Sequence, residues 1–158
     1  MRYVVFILSI TCILSSCDSN RIYEKNITIK NNLWSIDTVP SFEFNNQDTI
    51  SEQVLKINIR HSSDYAYSNL WLFIHTHQPD GNILTDTLEC ILAEKDGRWK
   101  GSGLGDIWDL KSDFKTETFD QIGTYRVEIE QAMRYGDLAK IEKLFGIMSV
   151  GFRIQKSE

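Results

Sequence analysis

The chain has 158 residues, 17 of them basic and 22 acidic, for a net charge of −5. With no basic stripe able to neutralise phosphates, it is a poor candidate for binding nucleic acid, and for the same reason a poor one for anionic lipid headgroups. Its length is that of a single domain with a respectable core.

The chain opens with one positive side chain, Arg2, followed by an uncharged apolar run from Tyr3 to Leu14, the layout of a secretory signal. The run is shorter than the roughly 20 residues a helix needs to cross a bilayer's hydrocarbon core, so removal is expected rather than permanent anchoring. It ends in Leu14-Ser15-Ser16-Cys17, an aliphatic residue, a small pair and a cysteine, which resembles the bacterial lipobox. On this reading residues 1–16 are a lipoprotein signal peptide, and Cys17 becomes the palmitate-bearing N-terminus of the mature protein. The competing reading is an ordinary secretory signal in which Cys17 is incidental. Acyl chains contribute about 0.8 kcal/mol per buried methylene, so several on one cysteine hold a protein to a membrane durably. Cys12 leaves with the signal and Cys17 is consumed by lipid, which leaves Cys90 as the one thiol and no intrachain disulfide. Residues 17–20 are then the lipidated cysteine and a short polar tether. They keep the following domain, residues 21–158, close to the membrane, since an extended residue spans at most about 3.5 Å. Asp18 directly after the cysteine is a retention signal in some bacteria, a rule that does not hold in all phyla.

From Ile22 onward the dominant signal is alternation with period two. Ile27 and Ile29, then Val54 or Leu55 through Ile57 and Ile59, then Tyr125, Val127 and Ile129 alternate with polar neighbours, as half-buried strands do. Leu70-Trp71-Leu72-Phe73-Ile74 is apolar on both faces and is expected centrally in a sheet with material packed over each side. Pro79-Asp80-Gly81-Asn82 and Lys95-Asp96-Gly97-Arg98 place Asp-Gly between β-rich runs, the pairing that tight hairpin turns favour. They predict a meander of Leu70–Thr76, Ile83–Ala93 and Trp99–Ser102. Asp120-Gln121-Ile122-Gly123-Thr124-Tyr125 resembles the corner of immunoglobulin-like sandwiches where a tyrosine hydroxyl ties back to upstream backbone. A short helix is expected over Asp137–Phe145, with a covering loop as the alternative. Met148, Val150, Phe152 and Ile154 alternate in a closing strand. The fold class is therefore all-β, a single antiparallel β-sandwich, immunoglobulin-like or jelly-roll-like, with at most one short helix.

Chemistry-bearing patterns are sparse. His75 and His77 share a strand face, the geometry of a metal pair. A third ligand from Glu89 or Asp86 depends on a register that nothing fixes, so exposed strand histidines are the favoured reading and no metal is expected. Gly101-Ser102-Gly103-Leu104-Gly105-Asp106 lacks the dinucleotide spacing and the P-loop lysine, and reads as a bent strand exit. Asp106, Asp109 and Asp113 lack the ligand positions of an EF-hand. There is no Gly-x-Ser-x-Gly elbow and no recognisable triad, so neither an enzyme nor a cofactor is expected. Cys90, within Leu88-Glu89-Cys90-Ile91-Leu92, is favoured as a core residue over a reactive thiol. Trp71 is expected in the core, whereas Trp99 and Trp108, flanking the glycine run, are either core or one side of a sugar or peptide groove.

Read together, Tyr67–Ile74, Pro79-Asp80-Gly81, Asp86–Cys90, Gly97-Arg98-Trp99 and Gly101–Ile107 resemble the GldH-type gliding-motility lipoproteins. Gly123-Thr124-Tyr125, Glu130–Arg134 and Val150–Arg153 continue the likeness in order, over nearly the whole chain. The resemblance implies a cell-envelope lipoprotein at the outer membrane. Its partners would be other gliding motility lipoproteins or components of the type IX secretion apparatus, and it implies no catalytic residues. Gly81 and Gly97 would serve turns, Trp71 and Leu72 the core, and Tyr125 the corner. Gln131, Met133 and Arg134, at the end of a strand, are the candidates for partner contact, with an internal salt bridge as the equal alternative for Arg134. The contrasting reading is an envelope module that binds a glycan or peptide at the Trp99–Trp108 end.

Overall fold

A computed structural model describes residues 18–136 and 140–157. The strands are β1 (Arg21–Thr28), β2 (Leu33–Ser35), β3 (Ser41–Asn46), β4 (Gln53–Ser62), β5 (Asn69–His77), β6 (Ile83–Ile91), β7 (Ser102–Leu104), β8 (Ile107–Glu117), β9 (Gly123–Gln131), β10 (Lys143–Phe145) and β11 (Ile147–Lys156). They form a five-stranded sheet in the order β1-β11-β4-β8-β7, a four-stranded sheet in the order β3-β9-β5-β6, and a small β10-β2 pair. Every pairing is antiparallel. The two large sheets pack face to face as an all-β sandwich, as the alternation requires.

Period two decides which side chains enter the core. From the five-stranded sheet these are Leu55, Ile57 and Ile59 of β4 and Val150, Phe152 and Ile154 of β11. From the four-stranded sheet they are Phe42 and Phe44 of β3, Leu70, Leu72 and Ile74 of β5, and Tyr125, Val127 and Ile129 of β9. Phe44 stacks on Tyr125 with ring centroids 5.5 Å apart, meets Phe119 edge-on at 5.3 Å, and reaches Phe152 of the opposite sheet at 6.1 Å. Each such pair adds about 0.5–1.5 kcal/mol beyond the area it buries. The Tyr125 hydroxyl lies 3.4 Å from both the Gln121 carbonyl and the Asp120 carboxylate, the tie-back expected of the corner.

Cys90 is buried facing the core, and burial pushes its thiol up to about 11, so it is a protonated apolar side chain at neutral pH. The Asp-Gly turns form as expected: the Gly81 amide bonds the Gln78 carbonyl at 3.0 Å and the Gly97 amide bonds the Glu94 carbonyl at 2.9 Å.

Three expectations are corrected. The meander stops after β6: only Ala93 and Trp99 make a bridge, and β7 pairs with β8 in the other sheet. Gly101 makes this turn possible, with φ +86° and a position where any Cβ would run into the Asp109 carbonyl. Residues 143–145 are a strand rather than helix: Leu144 enters the core opposite Trp34 of β2 while Lys143 and Phe145 face outward. The spacing of Ile141, Leu144 and Phe145 imitates a helical stripe, but alternation over 143–145 wins. Residues 137–139 of that expected helix lie outside the described residues. Finally, Trp71 is not core. It is 39% exposed, because the phase that buries Leu70, Leu72 and Ile74 turns Trp71 and Phe73 onto the outer face of β5, which no further layer covers among the described residues.

Candidate functional site

The expected lipidation residue, Cys17, and the leader before it lie outside the described residues. The description starts at Asp18, which does not hang as a loose tether. Its carbonyl accepts the Arg21 amide at 3.3 Å, so the chain turns back on itself as it enters β1. Its carboxylate receives the Arg153 guanidinium at 2.6 Å. Arg153, almost fully buried, donates through its other arm to Glu24 at 2.7 Å and through Nε to Gln155 at 3.1 Å. The hydrogen bond from Arg153 holds the Asp18 carboxyl below its ordinary range. For Glu24, burial pushes upward, and the bonds from Arg153 and Asn58 outweigh it, so its pKa is also lowered. Burial likewise opposes the charge on Arg153, yet its bonds to Asp18 and Glu24 raise its pKa. The Lys156 amide closes on the Asn20 carbonyl at 2.9 Å and the Ser157 amide on the Glu52 carbonyl at 3.2 Å, so the first described residues are tied to the end of β11 and that end to the entry of β4.

The outer face of the five-stranded sheet, next to this clasp, is polar. Cross-strand pairing lines up Asn26, Gly151, Asn58 and Lys111 in one row, and Ser149, Arg60 and Asp109 in the next. Arg60 grips Asp109 with two bonds, at 2.8 and 3.0 Å, and Lys56 pairs with Asp113 at 2.6 Å. Beside the Arg60–Asp109 pair lies a concavity of about 320 Å³ lined by Glu24, Asn26, Asn58, Arg60, Asp109 and Lys111, among others. Asn58 Oδ1, at its floor, has no hydrogen-bond partner. The aspartates considered for calcium are thus divided: Asp109 and Asp113 are in ion pairs, and Asp106 lies in the turn before β8.

The outer face of the four-stranded sheet differs in kind. Trp71, Phe73, Thr87, Ala132 and Arg134 line a shallow depression of about 300 Å³. Farther along β5, His75 lies 3.5 Å from Glu130 and His77 2.9 Å from Glu128. On the β6 side the register sets His75 opposite Thr85 and His77 opposite Ile83, not opposite the Asp86 or Glu89 considered from sequence. Among the described residues no group of His, Cys, Asp and Glu side chains gathers in a way that could hold a metal.

Of the three candidate contact residues at the end of β9, two are turned inward. Gln131 is 1% exposed: its amide donates to the Ile141 carbonyl at 2.6 Å and its oxygen accepts the Met133 amide at 3.1 Å. Met133 is 3% exposed, and its sulfur accepts the Trp71 amide at 3.3 Å. Arg134 alone is open, at the rim of the Trp71 depression. Trp99 and Trp108 gather around buried His61: Trp99 meets its ring edge-on at 4.6 Å, and Trp108 sits opposite it in register. The Trp108 indole covers Gly103, where a Cβ would come within 2.6 Å of the ring, and its Nε1 donates to Ser63 at 3.1 Å. Both rings are half-buried.

Sequence reading missed the Trp71–Phe73 depression and the polar concavity. The signals were present as the outward phase of β5 and as the run Lys56, Asn58, Arg60. Which strands lie beside them was not.

The family model for the GldH lipoprotein matches residues 21–154, nearly all of the described chain. A gliding motility lipoprotein GldH homolog of Christiangramia forsetii is 43% identical over 159 aligned positions, covering 99% of this chain and 97% of the relative. The gliding motility lipoprotein GldH of Flavobacterium johnsoniae is 33% identical, covering 92% of this chain and 91% of the relative. Among solved structures, the infectious bursal disease virus Gx strain aligns with a TM-score of 0.40 at 14% identity, over 89% of this chain and only 33% of that one, a likeness that carries no argument. The match of sequence along the whole sandwich, from β1 to β11, places this chain in the GldH lipoprotein family.

Proposed function

We propose that the protein is a non-catalytic component of the gliding motility machinery, held in the outer membrane by lipid on Cys17. It acts through protein–protein contacts in association with type IX secretion. The observation that carries this reading is the near full-length similarity to two proteins named for gliding motility. Geometry supports contact as the mode of action. Trp71 and Phe73 line a depression on an outer sheet face that no other described element covers, with Arg134 at the rim, and aromatic and arginine side chains of this kind are the usual anchors of protein interfaces. The alternative, a glycan or peptide module with Trp99 and Trp108 as its platform, draws no support from their packing, since His61 closes one ring and Gly103 with Ser63 the other.

The test is colony spreading and single-cell gliding in a deletion strain carrying either the intact gene or Cys17→Ala. Deletion is expected to abolish gliding, and only the intact gene to restore it. A deletion strain that glides normally would overturn the assembly role.

A further inference from the structure

We infer that the outer face of the five-stranded sheet is the surface this domain lays on the bilayer, and that its polar concavity receives zwitterionic phospholipid headgroups. This rests on the reading of Cys17 as the lipid-bearing residue. One peptide unit, about 3.8 Å between Cα atoms, separates Cys17 from Asp18. Asp18 is seated on Arg153, whose side chain stands on that outer face in the row Glu24, Arg153, Lys56. The turn at Asp18–Arg21 and the bond to Arg153 hold Asp18, the residue that follows the proposed anchor, on that face, beside Glu24 at the edge of the concavity.

The chemistry of the face matches such a surface. Cations and carboxylates neutralise one another across it, Lys56 with Asp113, Arg60 with Asp109, and Arg153 with Asp18 and Glu24, so it neither repels nor depends on a net surface charge. Inside the concavity, Lys111 is exposed and makes no ion pair among the described residues. With Arg60 it offers N–H donors to a phosphate, while Glu24 and Asp109 offer oxygens to an ammonium group. Gly151 keeps the floor low, since a Cβ there would collide with the side-chain oxygen of Asn26. At the rim, Leu104 is 89% exposed and shares a second depression with Ile107, Arg60 and Asp109. An apolar side chain placed so reaches the boundary between headgroups and acyl chains. In this orientation the Trp71 face turns away from the lipid, toward protein partners.

The test uses the full lipidated protein reconstituted in phosphatidylethanolamine–phosphatidylcholine vesicles. Leu104→Cys and Thr87→Cys, both at exposed sites on opposite outer faces, each carry an environment-sensitive fluorophore, with nitroxide-labelled lipid as quencher. Quenching at position 104 is expected to exceed that at 87 several-fold, and Lys111→Glu to reduce it without detaching the protein. Equal quenching at the two sites, or stronger quenching at 87, overturns the inference. Flotation and the mass of the N-terminal peptide separate the two ways of failing. A protein that floats with acylated Cys17 but shows no difference between faces defeats the orientation alone. One without acyl groups that does not float defeats the anchor reading, and the orientation falls with it.

Discussion

Gln131 shows what a single polar side chain does at the end of this sandwich. It is buried, its amide donates to the Ile141 carbonyl at 2.6 Å, and its oxygen accepts the Met133 amide at 3.1 Å, so it ties β9 to the segment that leads into β10. Gln131→Leu keeps the bulk but leaves a buried donor and acceptor without partners, which costs about 1–3 kcal/mol each. The variant is expected to unfold at lower urea concentration with unchanged slope, followed by tryptophan fluorescence. From sequence, Gln131, Met133 and Arg134 read as one contact group because all three lie at a strand end. That reading overlooked that period two carries Gln131 inward after Tyr125, Val127 and Ile129, and it could not foresee that the Met133 sulfur meets the Trp71 amide. Only Arg134 stays open. Cys90 was legible because its neighbours are apolar, and burial explains it fully.

At the scale of an element, β5 presents two faces of different character. Its inward residues Leu70, Leu72 and Ile74 are fully buried, whereas outward Trp71 and Phe73 touch solvent. Replacing the outward pair, Trp71→Ser with Phe73→Thr, removes partly buried aromatic area as well as contact surface. The expected loss of stability is about 1–3 kcal/mol, measured by thermal unfolding, while the protein stays folded at growth temperature and complementation of gliding is expected to fail. Retained gliding would remove this face from the contact surface. The strands themselves were legible wherever period two ran long enough, as in β4, β9 and β11. What defeated sequence reasoning was brevity. β7 and β10 have three residues each, too few for a period to declare itself, and their pairing is set by partners distant in the chain. Equally, an apolar run such as Leu70–Ile74 does not say whether a second layer covers its other side.

For the whole molecule, the clasp of Asp18, Arg153 and Glu24 joins the first described residues to the last strand. Both carboxyls titrate below their ordinary values in the folded state. Their stabilisation is therefore complete above the ordinary carboxylate range and is lost as the pH falls from there through the lowered folded-state values. Glu24→Gln is expected to melt at a lower temperature than the parent at pH 7, and the gap is expected to narrow progressively as the pH falls below the ordinary carboxylate range, as followed by circular dichroism. A gap that persists unchanged in acid would show that charge at Glu24 is not what holds the clasp.

The clasp also has a mechanical side. A flexible leash would let a domain drift under load before any force reached its anchor, but here Asp18 is bonded to Arg153, and β1 pairs with β11 along nearly its whole length. A pull along β1 from the residue before Asp18 is shared by those parallel hydrogen bonds at once rather than breaking them one after another. In the proposed role, strain imposed on the sandwich by a partner would thus reach Asp18 with almost no slack, as a rigid strut passes it.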